Sequence, residues 1–378
     1  SGRNLSTPFA SLKYACQHAA NGSTILVKTG TYYEQLPIVV PPNVAIVGDN
    51  QRTVVIQPKS GFSDDGVTLN SHSSMFLLSD GSILNKMTFK GMTGWVPGTT
   101  AEDVTTSTPA GVVVRFNPNS PIIYKSPYVL ECAAICSGAI GALVDGSVHA
   151  TGNKSMIFHG FTVISDNGIG YWTKDGGKAE IVSCFTYYCY FGYTSSGGGF
   201  IRALNGNNSY GTYGATARGY LASETAVTGT VYGKQLNFFY IGGNINVGDT
   251  VSSNTGASAI VTNVQTTANK VYVTANTGTF IVGDDVVFTS GGTGVVTSGA
   301  LENQKGFVLV LTGLGSAPRP GASISLAGDS YSYVIQSVSG TYVNSSSKMV
   351  VVLAQEKPTG SANGTAATIR YKYSQVRL

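Results

Sequence analysis

The sequence predicts an all-β chain: a parallel β-helix with an N-terminal capping helix, followed by small antiparallel β modules. Three observations carry this. Between Thr24 and Pro58, four short β-branched runs (24–27, 37–40, 44–47 and 53–56) are separated by Gly, Pro and Asn with no helical period, as strands between corners would be. Those runs are apolar on both faces, as buried parallel strands are, and lack the Asn-Gly or Asp-Gly turns typical of hairpins. Further along, similar segments recur about every 24 residues, the signature of a stacked solenoid.

Composition agrees. Charged residues are 11% of the 378, with 48 Gly and 21 Tyr, and the net charge is +4 without a basic block. Helix formers are therefore scarce, and nucleic acid is not expected as a partner. No apolar run reaches the ~18 residues of a membrane span, and no signal-peptide pattern is present. The chain opens on Ser1 rather than Met and stops just after the strand-like run 369–373, so it is expected to be a piece of a longer polypeptide.

Residues 7–20 read as the one helix. Thr7 suits the N-cap and Pro8 the first turn, Phe9, Leu12, Cys16 and Ala19 share a face, and Asn21-Gly22 ends it. Such a helix would hide the open first rung of a β-helix from edge-on pairing. The next strands are 74–78 and 83–89, and 91–110 is a loop. Five segments, starting at Asn85, Glu131, His159, Ser183 and Asn205, align over five residues. The first gap reads as two turns of the solenoid, and Phe161 and Phe185 would stack in register. The last segment is polar, so the stack should end near 209–220.

Beyond Val227 a second repeat appears, with Val247-Gly248-Asp249-Thr250-Val251 matched by Val282-Gly283-Asp284-Asp285-Val286. The expected organisation is a cap over 1–23, a β-helix over 24–226, a repeated β module over 227–303 and a final β module over 304–378. Pro318, Pro320 and Pro358 are expected in its turns.

The opening of the chain resembles that of pectin-lyase-like right-handed β-helices, in Gly22-Ser23-Thr24-Ile25-Leu26-Val27, Thr29-Gly30-Thr31-Tyr32 and Val44-Ala45-Ile46-Val47-Gly48. The resemblance covers about fifty residues and implies a right-handed coil. That family's lyases use acidic residues for calcium and an arginine base, and its polygalacturonases use several aspartates, a gly-his-gly and an arg-x-lys. Neither set is present here: the acidic doublets are Asp64-Asp65, Glu102-Asp103 and Asp284-Asp285, and Gly160 follows His159 but Phe158 precedes it.

Residues 178–220, above all Ile201-Arg202-Ala203-Leu204-Asn205-Gly206-Asn207-Asn208-Ser209-Tyr210, resemble a segment of large virion structural proteins of cyanobacterial contractile-tailed phages, and so does the ending 370–378. That resemblance implies a tail-fibre, spike or baseplate-associated role in the virion.

The catalytic alternative rests on Asp145, Asp166, Asp175 and Glu180, because carboxyl groups on neighbouring rungs can reach the separation that glycoside hydrolysis uses. The competing explanation is that the aspartates, each within two residues of a Gly, shape turns. No cofactor or metal is expected: His18, His72, His149 and His159 show no ligand spacing. Cys16, Cys132, Cys136, Cys184 and Cys189 form no metal pattern. Cys132 and Cys184 fall two rungs apart in one column, beyond disulfide reach, so the thiols should be free.

Aromatic residues concentrate in the last rungs. Trp172, Tyr188, Tyr190 and Tyr193 are the expected contacts, either with other subunits or with a glycan. The expected function is a non-catalytic structural component of a phage tail, assembled as a homotrimer and joined to other tail proteins. The alternatives are a receptor-binding module for host surface polysaccharide and a polysaccharide depolymerase.

Overall fold

The computed structural model describes residue 2 and residues 6–59, 74–95, 97, 111–298 and 301–378. His72, Asp64-Asp65, Glu102-Asp103 and most of the 91–110 loop lie outside the described residues. The chain forms two compact units, Ser1–Ser223 with Lys372–Leu378, and Glu224–Tyr371.

The first unit is a right-handed parallel β-helix of three sheets, with strands numbered along the chain. The first sheet stacks β1 (Thr24–Val27), β4 (Ala45–Gly48), β7 (Ile83–Asn85), β10 (Tyr128–Leu130), β13 (Ser155–His159), β16 (Lys178–Val182), β19 (Phe200–Leu204) and β34 (Gln375–Arg377). The second stacks β2 (Gly30–Glu34), β5 (Val54–Pro58), β8 (Thr88–Lys90), β11 (Ala133–Ser137), β14 (Thr162–Asp166), β17 (Phe185–Tyr187) and β20 (Asn207–Ser209). The third stacks β3 (Ile38–Val40), β6 (Ser74–Leu78), β9 (Val112–Phe116), β12 (Ile140–Asp145), β15 (Ile169–Lys174), β18 (Phe191–Ser196) and β21 (Tyr213–Arg218).

Single residues turn the chain between sheets. At the first corner Lys86, Glu131, Gly160, Ser183 and Asn205 stack with φ of 58, 49, 62, 51 and 54°. Each of the first four donates its N–H to a carbonyl one rung on, for example Glu131 to His159 at 2.8 Å. Four glycines make a second column. Gly141, Gly170, Gly192 and Gly214 lie where the second and third sheets pinch together. A Cβ on Gly170 would sit 2.4 Å from both the Gly192 carbonyl oxygen and Thr186 Cγ2, so only hydrogen fits.

This register corrects part of the sequence reading. Leu130 pairs directly with Asn85, so the first gap is one coil with long excursions and not two turns. The segments at Asn85 and His159 are also one residue out of register with the others. Phe161 faces the core beside Cys184, whose Sγ accepts its N–H at 3.3 Å, whereas Phe185 is half-exposed on the outer face. The two rings are not stacked in register, because the corner residue, which can be any type, sets the phase.

The lid is shorter than expected. Helix α1 spans Leu12–His18 and Ser11, not Thr7, is its N-cap, accepting the Tyr14 N–H at 3.1 Å. The buried Glu34 carboxylate accepts the N–H groups of Leu12 (2.6 Å) and Lys13 (3.1 Å), and this contact from the end of β2 fixes where the helix starts. Leu12, Ala15 and Cys16 are its buried face.

The second unit contains two closed barrels. One is made of β23 (Lys234–Gly242), β24 (Thr250–Ser253), β25 (Ser258–Gln265), β26 (Lys270–Thr277), β27 (Asp285–Phe288) and β28 (Thr293–Val296), in spatial order β23-β26-β25-β24-β27-β28. The other joins β22 (Val227–Val231) to β29 (Gln304–Thr312), β30 (Ser323–Leu326), β31 (Ser332–Ser339), β32 (Met349–Ser361) and β33 (Ala366–Arg370), in order β29-β32-β31-β30-β33-β22. The two orders are the same, except that β22 takes the place of a sixth strand that should follow β33. The second barrel is a circular permutation of the first, and the first is inserted after its displaced strand.

The expected organisation is therefore corrected at 227–231 and at 372–378, and Pro358, expected in a turn, lies within β32 where its pairing with β29 shifts register. Residues 227–231 belong with the last barrel, and 372–378 return to the β-helix. Neither return has a local sequence signal, since each strand finds a partner far along the chain, as Val227 with Ile369 and Ile201 with Val376 show.

The last barrel holds a buried ion pair. Lys357 Nζ lies 3.2 Å from Asp329 Oδ2, and both side chains are buried. Tyr333 donates to the same carboxylate at 2.9 Å, and Lys357 also donates to Thr359. Burial alone would raise the Asp329 carboxyl, but the bonds from Tyr333 and Lys357 outweigh it and hold it below the usual range. A carboxyl lowered in the folded state contributes stability that is complete above its unfolded value of about 3.9 and is lost as pH falls through the folded one. Removing one partner should cost about 3–5 kcal/mol, by stranding the other charge. We expect Lys357→Met to lower the melting temperature of this unit sharply, and Asp329→Asn with Lys357→Met to lower it less. Calorimetry between pH 3 and 7 checks both the ranking and the acid-side loss.

Candidate functional site

The four candidate carboxylates do not converge. Asp145 and Asp175 share one cation, with Lys174 Nζ at 3.4 and 3.3 Å. Asp145 also accepts the Ser147 N–H (2.9 Å) and hydroxyl (2.6 Å), an aspartate shaping a turn. Glu180 sits on the outer face of the first sheet, 3.5 Å from Arg202. Asp166 ends β14 in the second sheet, where its neighbour Asn167 donates to it at 3.4 Å. A polar cleft of about 490 Å³ follows the first corner, lined by Arg52, Lys86, Glu131, Gly160 and Phe185 among others. Its carboxylates are also paired, Glu131 with Lys86 at 3.9 Å and Asp49 with Lys28 at 3.1 Å. Among the described residues no three His, Cys, Asp or Glu side chains gather as a metal site.

The aromatic set divides. Tyr193 is 2% exposed and its hydroxyl donates to the Cys184 carbonyl at 3.0 Å, so it belongs to the core and cannot be the outward contact expected of it. Trp172 is 7% exposed and donates to Ser196 Oγ at 3.0 Å. It joins Trp95, Val112, Ile140, Leu143, Ile169 and Phe191 in a layer over the outer face of the third sheet. Strict alternation would leave one of these faces in solvent; here both are buried, which is why the sequence misassigned Trp172 and Tyr193. Tyr190 is half-buried against Trp95 and Tyr213.

Tyr188 alone of the four is well exposed, and its ring stacks on Tyr210 at 5.5 Å and 20°. Both stand at the corner between the second and third sheets, where Gly138 and Asn167 of earlier rungs are also left-handed. Tyr210 was missing from the expected contacts. Its signal was there, since Tyr188 and Tyr210 lie one repeat apart. Both have left-handed backbones, with φ of 60 and 59°, at a cost on the order of 1 kcal/mol each.

All five cysteines are free. Burial pushes Cys16, Cys132 and Cys189 up to about 12 and Cys136 up to about 11.

No family model matches the chain, and no curated protein does. Among solved structures it is similar to a pectin methylesterase in complex with a hexasaccharide, at 14% identity and TM-score 0.33, covering 55% of this chain and 65% of that one. A pectin methylesterase from Aspergillus niger gives 16%, 0.38, 57% and 80%. A protein of Geobacillus virus E2, ORF18, gives 11%, 0.22, 89% and 82%. Likenesses this distant say nothing about activity. The chain spans less than two thirds of the first of these proteins.

The thiolate is the reactive form of a cysteine, and a thiol held near 12, as Cys132 is, forms very little of it at neutral pH. The native protein should therefore react slowly with a chromogenic disulfide reagent. Unfolded without reductant, the chain should titrate five thiols; three or fewer would contradict this arrangement.

Proposed function

We propose that the chain is a non-catalytic structural component of a phage tail (a fibre, spike or baseplate-associated rod or adaptor) that works in the virion as a homotrimer joined to other tail proteins. The observation that carries this reading is the contrast between the three outer faces of the β-helix. The third sheet's face is sealed by its own aromatic layer. The other two leave apolar columns open to solvent. On the first sheet Leu26, Val47, Leu130, Val182 and Leu204 lie in one column, with Asn85 and His159 between them. On the second, Ile135, Ile164 and Tyr187 occupy consecutive rungs, all exposed or half-exposed.

At about 4.8 Å per rung the first column is about 29 Å long. Apolar patches on that scale mark contacts with other proteins. Two unlike patches on one protomer are what a closed ring of three needs, each face meeting the other kind on its neighbour. The likeness of residues 178–220 and 370–378 to phage virion proteins points the same way. The depolymerase reading is less favoured, because Asp145, Asp175 and Glu180 are engaged by Lys174 and Arg202. Binding of host surface polysaccharide is compatible with the structural role.

Light scattering at micromolar concentration should give three chain masses. Ile135→Asp with Ile164→Asp should shift it to one, since buried unpaired charges cost several kcal/mol each. A wild-type monomer overturns the trimer. Antibody labelling of intact particles, seen by electron microscopy, should decorate the tail; an unlabelled tail overturns the location.

A further inference from the structure

We propose that Tyr188 and Tyr210 form a platform for an uncharged pyranose ring of an oligosaccharide, a site additional to the structural role above. The left-handed residues at this corner are Gly138, Asn167, Tyr188 and Tyr210, with φ of 58, 53, 60 and 59°; Tyr188 and Tyr210 follow the paired Tyr187 and Ser209 and so lie one above the other. Gly and Asn suit a left-handed corner; Tyr, like Lys86, Glu131 and Ser183 at the first corner, holds it at a small backbone cost. The fold gains no core from the tyrosines, because the two rings are 52% and 79% exposed. Strained residues that fill no core cluster where a protein meets a ligand.

The chemistry of the platform selects the ligand. The rings are stacked within 20° of parallel and more than half of each is exposed, which leaves apolar ring surface about one rung wide. Beside it stands a polar edge. The Tyr188 carbonyl accepts the Asn167 N–H at 3.0 Å, which puts exposed Asn167 and Asp166 next along the corner. A pyranose has an apolar C–H face and a rim of hydroxyls, and matches both parts. Asp166 also sets the charge: its carboxylate accepts hydroxyl hydrogens and repels an acidic sugar. A second copy of this chain is a weaker match, because Asp166 would lose its water in a dry contact.

The test uses the full chain, with maltohexaose, cellohexaose and mannohexaose as neutral probes and hexagalacturonate as the acidic one. Saturation-transfer NMR and calorimetry should detect at least one neutral hexamer, bound about tenfold or more tightly than the acidic one. Tyr188→Asn with Tyr210→Asn should weaken that binding by at least about tenfold. The same variant should melt at a higher temperature, since Asn fits these corners better. That rise separates loss of a ligand surface from damage to the fold. Binding of none of the neutral probes, unchanged affinity in the variant, preference for the acidic probe, or a lower melting temperature would each overturn the proposal. A variant that changes oligomeric mass while the wild type binds no sugar would assign the pair to subunit contact, which also overturns it. The trimer test alters different residues, Ile135 and Ile164, so failure of the sugar site and failure of the trimer are read separately.

Discussion

The backbone ladder at the corners governs the β-helix. Each corner residue turns the chain in one left-handed step and bonds to the next rung, as Lys86 does to Leu130 and Ser183 to Leu204. Because the step is a single residue, it cannot absorb a phase error. Every later side chain in that rung is then committed to the inside or the outside. Columns follow from this: Phe158 over Ile181 inside, Ile135 beside Ile164 outside, and glycine upon glycine where two sheets converge. The corner N–H and C=O groups are satisfied between rungs, so the turns need no side-chain help and accept Lys, Glu or Ser as well as Asn, at a small backbone cost.

A stack of parallel strands is open at both ends, and this one treats its ends differently. At the start, α1 lays Leu12, Ala15 and Cys16 over the first rung, with its leading N–H groups held by Glu34. At the other end the side chains themselves change. Residues 207–209 are Asn, Asn and Ser, and β21 is mostly exposed, so the final edges of the second and third sheets offer little to a foreign strand. The first sheet goes one rung further by taking β34 from the end of the chain, with Tyr220 bridged to Tyr373 beside it.

Much of this was legible in the sequence. The β-branched runs from Thr24, the capping helix, the free thiols and the repeat at Val247 and Val282 all follow from local composition and spacing. What stayed hidden depends on phase or on distance. A left-handed corner has no residue signature when its backbone groups are paired, so the one-residue offset at Asn85 and His159 could not be seen. Equal gaps do not prove equal turns, and one coil with excursions imitated two. The burial of Trp172 depends on an outer layer that includes Trp95, distant in sequence. The exposed stack of Tyr188 on Tyr210 needs both the register and the corner. In the candidate site, residue types were therefore easier to read than directions.

The nested barrels show why such long-range pairing is tolerated. Asp249 and Asp284 occupy matching turns, and each is held by a hydroxyl from the other repeat, Ser290 to Asp249 at 2.6 Å and Thr255 to Asp284 at 2.7 Å. The first barrel is thus closed by contacts among its own strands. Its ends also meet, since Gln235 and Glu302 exchange backbone bonds at 2.9 Å each way. To the barrel around it, an insert with adjacent ends is a short connection, however many residues it holds, and closure entropy rises only slowly with loop length. Buried Gln304 strengthens the junction by donating to the Tyr232 carbonyl at 2.7 Å and accepting from Val310 at 2.8 Å. The displaced strand β22 can therefore pair with β29 and β33 across the insert, and the permuted order keeps the same closed barrel without an exposed edge.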